Sequence, residues 1–383
     1  QTNFISEQQA SGAQVIDGSL KFDQSKKTYL KRTPGSAGNR RTWTYSAWIK
    51  RGDFPSAERG LFSTFGSAHP TTALKFGSSH TLEFLDYQSG YICQKITSQV
   101  FRDIGWYHIV VVIDTTLSTA EDRFKLYVNG ERVTSFGTNT NISTQNQQLD
   151  WNSATEHNLF MHGDESTPYD GLGSQTYFID GQALGPENFG FTDPLTNTWK
   201  PKKFDIRAEN NPNNGTTWSN LTTASSGSFE GSFPKTNLFD GVASNSNRAN
   251  LDTVGASIDI DFSSNPIGVK NTISIWSGKA SLSYSINGGA YVTYSDAQEA
   301  YKDIAFTGTL TSLSLKKSDE GAGASAIKID GYVLLDGASD NSFYLPFDGN
   351  SPIGKDQSGN GHDWTPVNFG GSVALDNPQV SGA

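Results

Sequence analysis

The strongest alternation of apolar and polar side chains lies in residues 106–133. A β-branched run occupies 110–113, a polar loop follows, and at 124–128 apolar Phe, Leu and Val then alternate with Lys and Tyr. Such alternation places successive side chains on opposite faces of a strand. Asn129-Gly130 is typical of a two-residue hairpin turn, because both residues tolerate positive φ. The pattern predicts a β-meander that needs a second sheet over its apolar face.

Similar short segments recur through the first half of the chain at roughly 8–12-residue spacing, with turn residues between them. They lie at 20–22, 28–30, 43–50, 61–65, 73–76, 81–87, 91–96, 159–161 and 176–180. A short helical turn is predicted at 185–189, after the last of them. This organisation predicts an all-β fold, with a sandwich or jelly roll in the first half.

Composition and charge exclude several classes of protein. The 383 residues are 18% charged, with a formal net charge of −10 and no basic stripe, which argues against a nucleic-acid partner. No apolar run approaches the roughly 20 residues that span a bilayer, so we expect no membrane insertion. Cys93 is the single cysteine, which excludes an intrachain disulfide. Because Met161 is the single methionine, we expect a processed N-terminus or a portion of a longer product.

Composition shifts after Pro201, where a polar, turn-forming run begins. A second β-rich segment follows and ends near residue 338. The expected organisation is an N-terminal arm at 1–16, a first β-sandwich at 17–204, a linker at 205–217, a second β-sandwich at 218–338 and a C-terminal segment at 339–383.

Five stretches of the first half carry a family resemblance. FDQSKKTYL, WTYSAWIKR, WYHIVVVIDTT, LYVNGERV and FIDGQALGPENFG stand in the order seen in concanavalin A-like, laminin G-like jelly rolls. TPGSAGNRRTWTYSAWIKR and YFIDGQAL further resemble virion proteins of marine tailed bacteriophages, the cyanophage-like group. The resemblance implies a laminin G-like jelly roll over residues 17–204.

Four later stretches carry two further resemblances. NLFDG at 237–241 and IDGYVLL at 329–335 look like a galactose-binding-like (discoidin-type) sandwich. The segments at 343–350 and 355–364 look like the opening of a laminin G-like domain, but they are too short to form one. Since the first and last strands of such jelly rolls lie together, we hypothesise that this segment returns to complete the first sandwich. The second sandwich would then be an insertion.

The sequence predicts no enzyme. Glycoside hydrolases of concanavalin A-like folds place acidic residues at alternate positions of one strand, so that two carboxyls flank the scissile bond. The nearest pattern here is Asp259-Ile260-Asp261, in the second sandwich. Glu83 and Asp86 are three positions apart and so face opposite sides of their strand. No nucleophile-elbow motif is present for Ser/His/Asp catalysis.

Calcium is the one candidate cofactor. The run DQSGNGHD at 356–363 packs oxygen ligands into a glycine-kinked loop and resembles a turn of laminin G-like proteins, some of which hold calcium. A self-capped Asx turn is the alternative. The candidate ligands are Asp348, Asp356, Ser358, Asn360 and Asp363.

Sugar binding would use aromatic faces for pyranose rings and polar side chains for hydroxyls. A structural or solvated role is the alternative for each residue. The candidates are Trp151 and His157 in the Asn-rich 139–158 loop, Tyr169 and Asp170 in the STPYDG loop, and Asn245, Asn247 and Arg248 in one loop of the second sandwich.

These observations and the resemblance together imply a phage virion structural protein, such as a tail fibre, head fibre or decoration protein, that adheres to host-surface polysaccharide. The expected location is the virion surface. The expected partners are other virion proteins and copies of the same chain, with a trimer favoured because weak sites gain strength by avidity. Two alternatives stay open: a capsid or tail decoration protein that binds only virion proteins, and a polysaccharide-degrading hydrolase or lyase.

Overall fold

The computed structural model describes residues 18–65, 72–162, 165–278, 282–294, 299–319 and 322–370. The predicted arm at 1–16 lies outside the described residues. The chain divides into two compact units, here called unit 1 (up to Arg207, and again from Asn341) and unit 2 (Ala208–Asp340). The described residues form β-strands and single 3₁₀ turns without an α-helix, which confirms the all-β prediction.

The first passage of the chain through unit 1 forms fifteen strands. They are β1 (Leu20–Phe22), β2 (Tyr29–Arg32), β3 (Thr42–Arg51), β4 (Arg59–Phe65), β5 (Thr72–Phe76), β6 (Thr81–Tyr87), β7 (Tyr91–Val100), β8 (Trp106–Asp114), β9 (Phe124–Val128), β10 (Glu131–Arg132), β11 (Phe136–Thr140), β12 (Glu156–Leu159), β13 (Gly171–Asp180), β14 (Gly190–Asp193) and β15 (Thr198–Pro201). Its 3₁₀ turns are Gln24–Lys26, Ala120–Asp122 and Pro186–Asn188, and a further turn, Ile206–Ala208, follows β15.

Unit 2 contains the next eleven strands. They are β16 (Thr222–Ala224), β17 (Ser257–Asp261), β18 (Ile267–Val269), β19 (Thr272–Ser277), β20 (Leu282–Ile286), β21 (Val292–Tyr294), β22 (Ala300–Ala305), β23 (Gly308–Leu310), β24 (Ser312–Lys317), β25 (Ala324–Ile329) and β26 (Tyr332–Val333). Its 3₁₀ turns are Trp218–Leu221, Lys235–Leu238 and Asn245–Asn247. Five strands form the sheet β16-β17-β24-β20-β21 and four form β22-β19-β25-β26, while β18 pairs with β23.

Two antiparallel sheets pack face to face in unit 1. Six strands of the seven-stranded sheet have the order β1-β13-β3-β8-β9-β10, and seven strands of the eight-stranded sheet have the order β11-β7-β6-β5-β4-β12-β2. The C-terminal segment supplies the remaining strand of each sheet. Alternation along β3 sends Trp43 and Tyr45 into the space between the sheets, as the sequence predicts. There Tyr45 stacks on Phe62 of β4, with ring centroids 5.0 Å apart.

The meander at 106–133 forms as predicted. Strand β8 lies beside β9, and β9 turns back into β10. Asn129 has φ of 52° and Gly130 has φ of 84°, which are the positive values that this turn requires.

The C-terminal segment pairs with both sheets of unit 1. Strand β27 (Phe343–Leu345) pairs with β13, and β28 (Thr365–Val367) pairs with β2 at the edge of the eight-stranded sheet. Between them Trp364 is buried in the core shared by the two sheets. Unit 2 therefore interrupts unit 1 in the sequence.

Residues 208–217, which the sequence indicates as part of a linker, belong to unit 2. Asn213 is buried there, where its Oδ1 accepts from Trp218 Nε1 at 3.3 Å and from the backbone nitrogen of Leu335 at 2.9 Å. The polar run is thus a structured part of the unit, because buried backbone and indole donors need its amide side chain.

Candidate functional site

Three candidate sugar ligands of unit 1 lie in its core, which corrects the sequence interpretation. Trp151, His157 and Tyr169 are almost fully buried. Trp151 packs on Phe62, with centroids 4.2 Å apart, and its Nε1 donates to the backbone oxygen of Thr72 at 3.1 Å. A pyranose ring cannot stack on an aromatic side chain that has no exposed face, so these residues are not available to a sugar.

His157 is held as a neutral structural group. Its Nδ1 lies 2.8 Å from the backbone oxygen of Thr155, and its Nε2 accepts from the backbone nitrogen of Asn152 at 3.1 Å. These partners assign the ring proton to Nδ1. Burial lowers the pKa of His157 to about 4. Asp170, the fourth candidate, is half-buried and accepts from the backbone nitrogen of Gln24 at 3.3 Å.

The three candidates of unit 2 bond mainly within their own loop. Asn247 Nδ2 donates to both carboxylate oxygens of Asp240, at 3.0 and 2.9 Å. Arg248 donates to the backbone oxygen of Asn245 at 2.7 Å, and its guanidinium lies 4.1 Å from the ring centroid of Phe233. These contacts fix the loop and leave fewer polar groups for a ligand.

The predicted calcium loop is closed by its own hydrogen bonds. Asp356 is buried, and its Oδ1 accepts from the backbone nitrogens of Tyr344 and Ser358, both at 2.9 Å. Its Oδ2 accepts from Ser358 Oγ at 2.6 Å and from the backbone nitrogen of His362 at 2.9 Å. The bond from the Ser358 nitrogen makes an Asx turn, the alternative that the sequence left open.

The other candidate ligands also form hydrogen bonds within the protein. Asp363 accepts from Lys355 Nζ at 2.8 Å, Asn360 donates to the backbone oxygen of Ser342 at 3.2 Å, and Asp348 accepts from the nitrogen of Asn350 at 3.0 Å. Calcium needs six to eight convergent oxygens. Here the oxygens of Asp356 already face protein donors. In the described part of the chain no group of three or more His, Cys, Asp or Glu side chains converges as metal ligands.

A polar groove of about 490 Å³ opens on unit 1, and only one predicted site residue, Asp348, lines it. Two segments form it, 203–207 and 344–357, and Arg207 Nε joins them by donating to the backbone oxygen of Gln357 at 3.2 Å. The lining residues are Lys203, Phe204, Asp205, Ile206, Arg207, Tyr344, Pro346, Asp348, Asn350, Ser351 and Gln357.

Aromatic packing positions the floor of this groove. Tyr344 of β27 stacks on Tyr177 of β13, with centroids 4.1 Å apart and planes 7° from parallel, and its hydroxyl donates to Gln175 Oε1 at 2.5 Å. Phe204 meets the same Tyr177 edge-on at 6.2 Å and stays half-buried. The return strand β27 thus supplies the support on which the groove lies.

Some polar side chains of the groove form hydrogen bonds within the protein, and others are exposed to solvent. Gln357 donates to Ser351 Oγ at 2.9 Å, and Asp348 uses Oδ1 for the Asn350 nitrogen. Lys203, Asp205 and Asn350 are exposed. Side chains of both charges and amides therefore surround one partly exposed aromatic ring. Sequence pattern does not reveal this groove, although the KPKKFDIR run at 200–207 shows cations around an aromatic residue.

A buried Ser–His contact elsewhere in unit 1 has the wrong proton arrangement for catalysis. His108 Nε2 lies 2.8 Å from Ser46 Oγ, while Trp199 Nε1 donates to His108 Nδ1 at 2.9 Å. Because Nδ1 accepts, the ring proton lies on Nε2 and is directed at the serine. Burial also lowers the pKa of His108 to about 3. His108 therefore cannot remove the Ser46 proton as a general base.

The Asp86 carboxyl has a raised pKa, but its role is structural. Burial raises the pKa of Asp86 to about 6, against the lowering effect of a hydrogen bond from the Thr72 hydroxyl. Asp86 also accepts from the backbone nitrogen of Asp150 at 3.0 Å and from Gln88 Nε2 at 2.9 Å. It ties the 139–158 loop to the eight-stranded sheet and has no exposed surface.

Comparison with known proteins places the first half of the chain. The family model described as the concanavalin A-like lectin/glucanases superfamily matches residues 24–172. A comparison with curated proteins gives no match. Among the described residues no helix is both long and apolar enough to cross a membrane.

Several solved structures are similar over part of the chain. A heptameric SAP-like pentraxin from Limulus polyphemus is 18% identical over 46% of this chain and 81% of its own, with a TM-score of 0.33. A candidate carbohydrate-binding protein from Bacteroides ovatus is 16% identical over 52% and 54%, with a TM-score of 0.35. Domain 4 of an extracellular arabinanase from Geobacillus stearothermophilus, solved with arabinotriose, is 17% identical over 39% and 64%, with a TM-score of 0.29. Scores this low do not carry a functional argument.

Proposed function

We propose that the protein binds glycans without cleaving them, because residues 24–172 match the concanavalin A-like lectin/glucanases superfamily. The proposed binding site is the groove of unit 1, whose lining residues lie outside the matched ones. The groove itself is the observation that carries this proposal. Its volume of about 490 Å³ lies within the range of ligand pockets. Its polar lining suits a hydroxyl-rich ligand better than an apolar one.

The groove offers both kinds of contact that a sugar uses. The exposed part of Phe204 can meet the apolar face of a pyranose ring. Asp205 and Asn350 lie on the two segments that form the groove, where a carboxylate accepts from sugar hydroxyls and an amide both donates and accepts. Because these side chains are exposed, each contact competes with water, and we expect weak binding at a single site.

Two observations support a role without catalysis. A glycoside hydrolase needs a general acid whose pKa is raised beside its substrate. The raised pKa of Asp86 belongs to a carboxyl that is sealed inside a structural network. The Ser46–His108 contact, which could be mistaken for a nucleophile and base, has its proton on the wrong nitrogen.

We propose host-surface adhesion by a phage particle as the biological setting, on the basis of the virion-protein resemblance of residues 33–51 and 177–184. Display of several copies on the virion surface would raise the strength of weak sites through avidity. A homotrimer in contact with other virion proteins meets this requirement. Unit 2, in this proposal, is a galactose-binding-like sandwich that carries its own loop of Asn245, Asn247 and Arg248.

A glycan array tests the proposal. The chain should bind a subset of polysaccharides, and the Asp205→Ala/Asn350→Ala double variant should lose about tenfold or more of this affinity, because each exposed polar contact contributes roughly 0.5–1.5 kcal/mol. Both side chains are exposed, so the fold should survive.

The matched control is Asp122→Ala/Asn220→Ala, which removes the same residue types from exposed positions outside the groove. It should bind like the unmodified chain. Reducing ends should not accumulate during incubation with a bound polysaccharide. Equal binding by both double variants would show that the groove is not the binding site. Release of reducing ends would show that the protein cleaves the polysaccharide.

A further inference from the structure

Arg51 is a buried cation with part of its hydrogen-bonding capacity unused. It ends β3 on the core-facing side and is 2% exposed. Its guanidinium carbon lies 4.4 Å from the ring centroid of Phe76 and 4.8 Å from that of Phe54, and Nη1 donates to the backbone oxygen of Phe101 at 2.7 Å. Nε and Nη2 are both buried and have no hydrogen-bond partner among the described residues.

The other two buried arginines of unit 1 have acceptors for more of their guanidinium nitrogens. Arg123 donates through Nε, Nη1 and Nη2 to four backbone oxygens at 2.7–2.9 Å. Arg59 binds the Asp53 carboxylate, with Nη2 and Oδ2 2.6 Å apart. The Asp53 carboxylate is close enough for its charge to act on Arg51, but it forms no hydrogen bond with Nε or Nη2 of that residue.

Two further side chains at the Arg51 end of the core have buried polar atoms without a hydrogen-bond partner among the described residues. Gly171 is the cross-strand partner of Arg51, and the Tyr169 hydroxyl lies 2.9 Å from where a Cβ on Gly171 would stand. That hydroxyl is buried and has no partner in the described part of the chain, and the same holds for Nδ1 of His80. The backbone of His80 is tied to Phe101, the residue whose carbonyl accepts from Arg51.

Buried donor atoms of a charged group that have no acceptor are costly, and native proteins satisfy such atoms with water or an ion. Arg51 Nε and Nη2 form the fork that normally receives two acceptor atoms or one bridging anion. The Tyr169 hydroxyl adds a third donor. Three hydrogen-bond donors beside one guanidinium charge suit a small anion that accepts hydrogen bonds and donates none.

We propose that Arg51 and Tyr169 hold a buried monovalent anion, chloride being the probe, at this end of the unit 1 core. The anion neutralises the guanidinium and accepts from Nε, Nη2 and the tyrosine hydroxyl. The rings of Phe54 and Phe76 lie against the guanidinium and add to its burial. Because the folded chain binds the anion and the unfolded chain does not, chloride raises the thermal stability of unit 1.

Thermal unfolding of the full chain in sodium chloride and in sodium gluconate, at one ionic strength, tests the site. The midpoint should rise with chloride and saturate, and Arg51→Met should remove this response. Tyr169→Phe keeps the ring and should raise the half-saturating chloride concentration roughly tenfold. A crystal grown in bromide should show an anomalous peak beside Arg51 Nε and Nη2.

Arg123→Met is the matched control. It removes an equally buried guanidinium whose donors are all paired, so it should lower the midpoint and keep the chloride response. If Arg51→Met does not fold, Tyr169→Phe and the bromide peak decide the question. A midpoint that is the same in chloride and gluconate, or a bromide crystal without the peak, would assign water to the site and overturn the proposal.

Discussion

Replacing Phe343 by alanine tests whether the returning strand β27 is integral to unit 1. Phe343 is 2% exposed, lies parallel to Phe178 of β13 with centroids 5.9 Å apart, and meets Trp364 at 4.9 Å. It also lines a cavity of about 10 Å³ that the missing ring would enlarge. Loss of a buried phenyl group with its cavity costs about 3–5 kcal/mol. Phe343→Ala should therefore remove about this much from the free energy of unfolding of unit 1.

Urea unfolding followed by hydrogen exchange of β13 peptides measures unit 1 separately. Ile104→Ala is the control, since Ile104 belongs to unit 1, is 64% exposed, and its loss should change stability by less than about 0.5 kcal/mol. A loss below about 1 kcal/mol in Phe343→Ala would show that β27 is not integral to unit 1. It would mean that the first passage of the chain folds without support from the returning segment.

Three further changes test other parts of unit 1. Burial raises the folded-state pKa of Asp86 to about 6, so the stability that its protonated carboxyl contributes is present below pH 3.8 and lost as pH rises through 6. Between pH 4 and 7, the free energy of unfolding of Asp86→Asn in urea should therefore rise by on the order of 3 kcal/mol relative to that of the unmodified chain. A difference between the two chains that does not change with pH would contradict this. Trp199→Phe leaves His108 Nδ1 unpaired and should cost about 1–3 kcal/mol, more than Trp106→Phe in the same assay. Asp356→Ala leaves four hydrogen-bond donors without their acceptor and should lower the free energy of unfolding by about 3 kcal/mol or more. EDTA should leave the melting temperature of the unmodified chain unchanged. A melting temperature that EDTA lowers would instead indicate a bound calcium ion.

The sequence pattern predicted those features of the fold that depend on neighbouring residues, such as turns and the alternation of side chains along a strand. The Asn129-Gly130 turn forms because its residues tolerate positive φ, and the alternation of β3 places Trp43 in the core. The turn expected at 185–189 appears as the 3₁₀ turn Pro186–Asn188, since proline suits the first position of a helical turn.

The candidate site depends on contacts between distant segments, which local patterns do not contain. Trp151 stands in a polar, Asn-rich stretch and therefore looks like a rim residue. The Asp86 carboxylate instead holds the loop at Asp150 and so brings the indole into the core. The groove likewise joins Arg207 to Gln357, positions 150 residues apart in the sequence. A search along the chain cannot bring such residues together.

The most direct test of glycan binding at the groove is a crystal structure with an oligosaccharide selected on the array. A sugar ring should lie against Phe204, with its hydroxyls within hydrogen-bond distance of Asp205 and Asn350 and its glycosidic bonds intact. An oligosaccharide that binds elsewhere on the chain and leaves the groove empty would contradict it.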